Sequence, residues 1–395
     1  MMQSNLTKIK NIILVYGGSL FGFVFVLILT RSISINDFAD YAYGVALGSL
    51  LMLLVNFGSD RRLIFELVKY ENSIQRLLNY NFTLRAFLFI ILSIILFFLV
   101  PLFTYLVCLW YMALGLITKA VYDYEDKTIE INAYLCIERA ILIFLSFLFY
   151  YEVSVIWLFG YLLVQRLAFV FFTNLKLRVS FSFSDFIFWG RKHKEEVLNS
   201  FLFVLGGIFS SFQILGSQII TKHIIGDNAV AFLNVGFQIA LLVQLAQAQV
   251  IRMKSRSISE STVKVKKNTL VLLNKEIMKS LFLSIPFVII FNVLSFLLEK
   301  YYLPEEWLGV FELLYKFSPW LLVMGAGMYI SQYFINLYPP IVYLKIYSVN
   351  LVVTCLALFY FLPIFGVLIV PYLIFIIHGA SMFIMYILIK TKVGK

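Results

Sequence analysis

The stretch "LTRSISINDFADYAYGV" at residues 29–45 returns in altered form as "ITKHIIGDNAVAFLNVG" at residues 220–236. At a shift of 191 positions Thr30 meets Thr221, Arg31 meets Lys222, Ile33 meets Ile224, Asn36 meets Asp227 and Tyr41 meets Phe232. Just upstream, "YGGSLFGF" (16–23) matches "LGGIFSSF" (205–212) at a shift of 189. Two matches in the same order point to a chain built from two related halves.

Composition says what kind of halves. The chain is 62% hydrophobic with a mean hydropathy of +0.93, whereas soluble domains are about 45–50% apolar. Apolar runs of about 20 residues recur along its length, each long enough to cross about 30 Å of hydrocarbon. They predict an all-α polytopic membrane protein with spans at 11–30, 41–58, 81–100, 102–121, 133–151, 154–174, 197–219, 229–250, 280–298, 311–335, 341–361 and 365–389. The first run follows Lys8 and Lys10 and is too long for a signal-peptide core, so it is read as a retained helix.

The net charge of +11 is placed asymmetrically. Loops 59–80, 175–196 and 251–279 hold seventeen basic residues, against Arg31, Lys222 and Lys300 in loops on the other side. This bias puts both termini in the cytoplasm. It also gives the basic excess a topological meaning and leaves nucleic acid out of the partners. Six spans per half make parallel repeats, with the substrate path expected between them and alternating access from rocking. The expected organisation is a bundle at 1–180, a linker at 181–196 and a second bundle at 197–395. The linker, "FSFSDFIFWGRKHKEE", joins an aromatic run to a basic end, as an amphipathic helix on the inner membrane surface would.

Ionisable residues inside spans are costly and mark function. Arg166 lies about 12 Å from the inner end of its span at 1.5 Å per residue. Arg139 and Arg85 lie one to two turns from theirs, where snorkelling serves as well. Facing an interior path, these cations with Arg31 and Lys222 would receive an anion, and arginine forks suit phosphate oxygens. Glu138 is the acid placed for ion coupling. Gln213 and Ser217, with Asn234 and Gln238 on the next span, form a polar stripe, either bonded between helices or lining a wet cavity; Gln244, Gln247 and Gln249 extend it. Gly18 and Gly22, like Gly206 and Ser210, are spaced for close helix packing. Cys108, Cys136 and Cys355 fall inside apolar runs, and no metal or cofactor motif is present among the residues.

The stretch "LILTRSISINDFADYAYGVALGSLLMLLVNFGSDRRLI" (27–64) resembles the opening of MOP-superfamily polysaccharide exporters, with Arg31, Asp37, Phe38, Tyr41 and Gly58 fitting their pattern. Residues 318–374 resemble the last helices of that family, with "LPIFGVLIV" as the turn; Gly366 matches its first glycine and Ile369 replaces the second. The resemblance implies a MATE-like architecture and a Wzx-type O-antigen flippase, carrying repeat units on undecaprenyl pyrophosphate from the cytoplasmic to the periplasmic leaflet of the bacterial inner membrane. Its implied partners are the lipid-linked oligosaccharide, membrane lipids, a polysaccharide polymerase and a chain-length regulator. The rival within the superfamily is a MATE-type multidrug exporter, which needs buried carboxylates. An enzymatic reading, as polymerase or glycosyltransferase, lacks a large outer loop and clustered carboxylates or histidines. An ATP-driven permease lacks a phosphate-binding Gly-rich loop.

Overall fold

The computed structural model describes residues 2–57, 63, 67, 70, 73–125, 127–149, 154–242, 266–307 and 309–393. Gly58, Arg61, Arg62, Lys69, Gln244, Gln247, Gln249, Arg252, Lys254, Arg256 and Lys264 therefore lie outside the described residues. Every regular element among the described residues is helical. Ten helical stretches are long and apolar enough to span a membrane, which makes this a multi-pass membrane protein.

The chain folds into two compact units, residues 1–211 and 212–395. In the first, α1 is Met2–Ser32, α2 Ile35–Val55, α3 Ile74–Leu99, α4 Leu102–Met112, α5 Lys119–Tyr124, α6 Thr128–Phe149, α7 Val155–Lys176 and α8 Phe183–Lys192. Helix α9, Lys194–Ile224, leads into the second unit. There follow α10 (Asp227–Leu242), α11 (Lys266–Tyr301), α12 (Val310–Lys316), α13 (Ser318–Leu337), α14 (Pro340–Phe365) and α15 (Val370–Val393).

Ten of the twelve expected spans coincide with these membrane-length stretches. Of the other two, 133–151 corresponds to α6, which carries Glu138 and Arg139 near its middle, and 229–250 begins as α10. The repeat recurs in three dimensions. Helix α1 ends at Ser32 and α2 starts at Ile35, while α9 ends at Ile224 and α10 starts at Asp227. Ser34 caps α2 by accepting from the Asp37 N–H at 3.1 Å. The equivalent turn uses Gly226 at φ +115°, a backbone region that suits glycine.

Two expected spans are broken. The fourth stops at Met112, passes through a 3₁₀ turn at Ala113–Leu116 and resumes as α5. The tenth divides into α12 and α13 around Phe317. Glycines set the closest approach in the first unit. A β-carbon on Gly48 would stand 2.7 Å from the Cys108 carbonyl oxygen, and one on Gly44 2.8 Å from Val107 Cβ, so α2 and α4 touch backbone to backbone. Gly18 plays the expected small-residue role between α1 and α6, 3.4 Å from Cys136 Cα by the same measure.

The linker forms α8, capped by Ser182, whose hydroxyl accepts from the Asp185 N–H at 3.2 Å. Buried Trp189 packs it against α3 near Tyr80, and Asn79 donates to Asp185 at 2.9 Å. Phe183, Phe188, Arg191 and Lys192 remain exposed on it.

Candidate functional site

Helix α7 repeats buried positions at Leu158, Leu162, Arg166, Val170 and Thr173, with Tyr161, Val164 and Phe171 exposed on the opposite face. That spacing is one helical face. It carries Arg166 inward, 3% exposed. Helix α6 likewise buries Ile131, Glu138, Leu142 and Leu145 and exposes Ile137, Ile141 and Phe144. The two inward faces meet. Arg166 Nη2 lies 2.6 Å and Nε 2.7 Å from Glu138 Oε1, and Glu138 is 2% exposed.

Arg166 Nη1 also donates to the Trp110 carbonyl of α4 at 3.1 Å, and its guanidinium carbon sits 4.3 Å from that indole's centre. Phe25 of α1, Tyr41 of α2 and Phe159 of α7 close around Trp110 and one another, with Phe25 and Phe159 centred 5.9 Å and 5.8 Å from it. The hydroxyls of Tyr41 and Tyr111 stand 3.5 Å apart. Helical neighbours point about 100° apart, so Arg139 turns from Glu138 toward α1. There it donates to Ser19 Oγ at 3.4 Å beside Gly18. Arg166 alone pairs with the carboxylate, Arg139 standing next to it in sequence but bonded to α1, and Glu138 is the only buried acid among the described residues.

The carboxylate is incompletely used. Glu138 Oε2 is buried without a hydrogen-bond partner, as are Gln165 Oε1 and Trp110 Nε1. Glu138 and Gln165 line a cleft of about 240 Å³ between α6 and α7.

The deep cation expected at Arg166 thus holds a partner 28 positions away in sequence. The possible coupling acid and the leading cation are one pair. The snorkelling reading of Arg85 is corrected. Arg85, 1% exposed, donates to the carbonyls of Gly115 at 3.2 Å and Ile117 at 3.0 Å and to Asn81 Oδ1 at 3.2 Å. Those carbonyls belong to the break between α4 and α5, where the Ile117 carbonyl also accepts from the Lys119 N–H at 3.0 Å and the Gly115 carbonyl takes its donor from Arg85. Asn174 donates to the Leu116 carbonyl at 3.1 Å and accepts from Thr118 at 2.9 Å, completing the repair.

In the second unit the polar stripe is partly an interhelical bond. Asn234 donates to Gln218 Oε1 at 2.9 Å, whereas Ser217 donates to the Ile214 carbonyl of its own helix at 2.7 Å. Gln213 is buried with Nε2 unpartnered, Asn234 Oδ1 likewise, and Gln238 is half-buried. Lys222 stands 3.5 Å from Asp227 at the turn between α9 and α10, and Arg31 is exposed at the matching end of α1. Gln218, Asn174 and Trp110 escaped the sequence reading. Gln218 sits one residue off the stripe, and the other two act through contacts that only the fold creates. Among the described residues no cluster of three or more metal-ligating side chains occurs.

No protein-family model matches the chain, and no curated protein matches it. Solved structures do. A multidrug resistance MATE-family transporter of the MOP superfamily, inward-facing, superimposes with a TM-score of 0.72 at 12% identity, over 95% of this chain and 94% of that one. The fold is that of MOP-superfamily transporters. The lipid II flippase MurJ, inward closed, gives a TM-score of 0.70 at 12% identity, over 97% and 87% of the two chains. An outward-facing MATE transporter gives 0.63 at 12% identity, over 98% and 95%. A multidrug transporter and a lipid flippase therefore both share this fold.

Proposed function

We propose that this protein is a flippase moving undecaprenyl-pyrophosphate-linked polysaccharide repeat units, of O-antigen type, from the cytoplasmic to the periplasmic leaflet of a bacterial inner membrane. The observation that carries the reading is the charge balance of this cluster among the described residues: buried Arg166 and half-buried Arg139 against buried Glu138 alone. A site for cationic drugs needs spare carboxylate, whereas here the one buried acid is already engaged by an arginine. A site for a phosphorylated head needs spare guanidinium.

In this mechanism the 1–180 and 197–395 bundles, joined by 181–196, rock against each other. Glu138 holds Arg166 in the empty protein. The head phosphate displaces the carboxylate from the guanidinium fork, with Arg139 as the second donor. Glu138, released by that exchange, is the acid offered for ion coupling. Arg31 and Lys222 receive the head at the outer ends of their helices, and Gln213, Ser217, Asn234 and Gln238 offer hydrogen bonds to sugar hydroxyls. An anionic head moving outward descends the inside-negative potential by about 2.3 kcal/mol per charge per 100 mV. Arg85 stabilises the broken fourth span beside the path and has no direct part in binding. A polysaccharide polymerase and a chain-length regulator take the product on the outer side.

The test is a strain lacking the chain. Lipid-linked repeat units should accumulate in the inner leaflet, surface polysaccharide should vanish and drug susceptibility should stay unchanged. Raised drug sensitivity with normal surface polysaccharide would replace this reading with the multidrug one.

A further inference from the structure

The second unit contains an apolar groove of about 630 Å³ between α11, α13 and α15. Its floor is made of residues with almost no side chain, Ala326, Gly327 and Gly379, and its open edge is flanked by Met278 and Phe383, 54% and 64% exposed. Along α15 the groove runs from Phe375 to Tyr386, which at 1.5 Å per residue is about 17 Å. One leaflet of a hydrocarbon core is about 15 Å deep.

The two ends differ. At one, Tyr386 donates to Asn274 Oδ1 at 3.0 Å, with exposed Lys275 next to Asn274 and exposed Lys390 one turn beyond Tyr386, while Lys279 further along α11 stands 3.9 Å from Glu276. This is the side the charge bias places in the cytoplasm. The remainder is hydrocarbon apart from His378, whose Nε2 is buried without a partner against Gly327. A slot of leaflet depth, apolar inside and cationic at its mouth, fits an amphiphile with a long tail and an anionic head. The width narrows the class. A linear acyl chain fits the furrow between any two helices, whereas the open space at Gly379, facing the small Ala326, makes room for a methyl-branched chain. At roughly 30 Å³ per water-sized group, the groove holds on the order of 20 carbon-sized groups.

We propose that this groove binds the isoprenoid tail of a polyprenyl phosphate lipid in the cytoplasmic leaflet. The inference rests on the flippase reading above and supplies its tail site, separate from the head site in the first unit. The tail stays sheathed by α11, α13 and α15 while the head leaves the mouth.

Gly379 provides the test, because a β-carbon there meets nothing within 4 Å. Gly379→Ala thus adds bulk without displacing protein atoms, and Gly379→Leu extends that bulk into the groove. Gly160 on α7 is equally open and serves as control. Gly327 is unsuitable, since its β-carbon would come 3.0 Å from His378 Nε2 and 3.1 Å from Met382 Cγ. The purified full-length protein is titrated with decaprenyl phosphate, with dioleoyl phosphatidylglycerol as competitor, and bound lipid is counted by native mass spectrometry. Gly379→Leu should weaken decaprenyl phosphate binding about tenfold or more, Gly379→Ala should weaken it less, and Gly160→Leu should leave it unchanged.

Equal competition by phosphatidylglycerol, or binding indifferent to Gly379→Leu, overturns the proposal. Loss of binding in Gly160→Leu as well would show the effect is not local, and also overturns it. The two readings fail separately. A chain that binds decaprenyl phosphate in a Gly379-dependent way but is dispensable for surface polysaccharide keeps the groove and loses the export function. The converse result keeps the export function and loses the groove.

Discussion

Removing Arg166 alone and removing it together with Glu138 should have opposite consequences for stability and the same consequence for transport. In Arg166→Leu the carboxylate of Glu138, 2% exposed, loses the guanidinium 2.6 Å away. An uncompensated buried charge of this kind costs about 3–5 kcal/mol. In Arg166→Leu/Glu138→Leu both charges leave, and replacing a buried pair by apolar side chains is about neutral or stabilising by about 1–4 kcal/mol. Thermal unfolding in detergent, followed by tryptophan fluorescence, should therefore show a marked drop for the single variant and recovery in the double. Surface polysaccharide should be absent in both, because the double variant folds without its phosphate-binding fork. The comparison separates structure from function, which Arg166→Ala alone does not. Full export by the double variant would show the pair to be a packing device and remove Arg166 from the substrate path. A single variant as stable as the parent would refute the ion pair itself.

Arg85→Met should lower stability by ~1–3 kcal/mol, since it strands the buried Gly115 carbonyl while Ile117 keeps the Lys119 N–H; thermal unfolding checks this. Gly48→Ala should destabilise by ~1–3 kcal/mol through overpacking of α2 against α4, read by the same assay. Lys222→Gln should change stability by less than ~1 kcal/mol, its partner Asp227 being 45% exposed and screened by solvent. Its effect should instead be a partial reduction in surface polysaccharide.

Much of the architecture follows from short-range information. Hydropathy locates the spans because a bilayer imposes one length on every crossing segment, and the repeat at 29–45 and 220–236 locates matching helix turns because turns are local. The depth of Arg166 is also legible, as it depends only on distance from a span's end. What it touches is not. Glu138 lies 28 positions earlier on another helix, and nothing in the stretch "LCIERAIL" announces which face will meet α7. The break at residues 113–118 has no proline to signal it. It depends on Gly115 pressing against Met52 and Val55, where a β-carbon would stand 2.9 Å from both, and on Arg85 arriving from α3. The apolar groove is invisible for the same reason: Ala326, Gly327 and Gly379 read as ordinary packing residues until three helices leave the space between them unfilled.

The repaired break carries a consequence for biogenesis. Alone in lipid, the third span would carry a charged guanidinium and the fourth a set of orphaned carbonyls, each a penalty on membrane entry. Together they cancel, because the donors of one are the missing partners of the other. Entering the membrane together as a hairpin lets the two spans avoid both penalties.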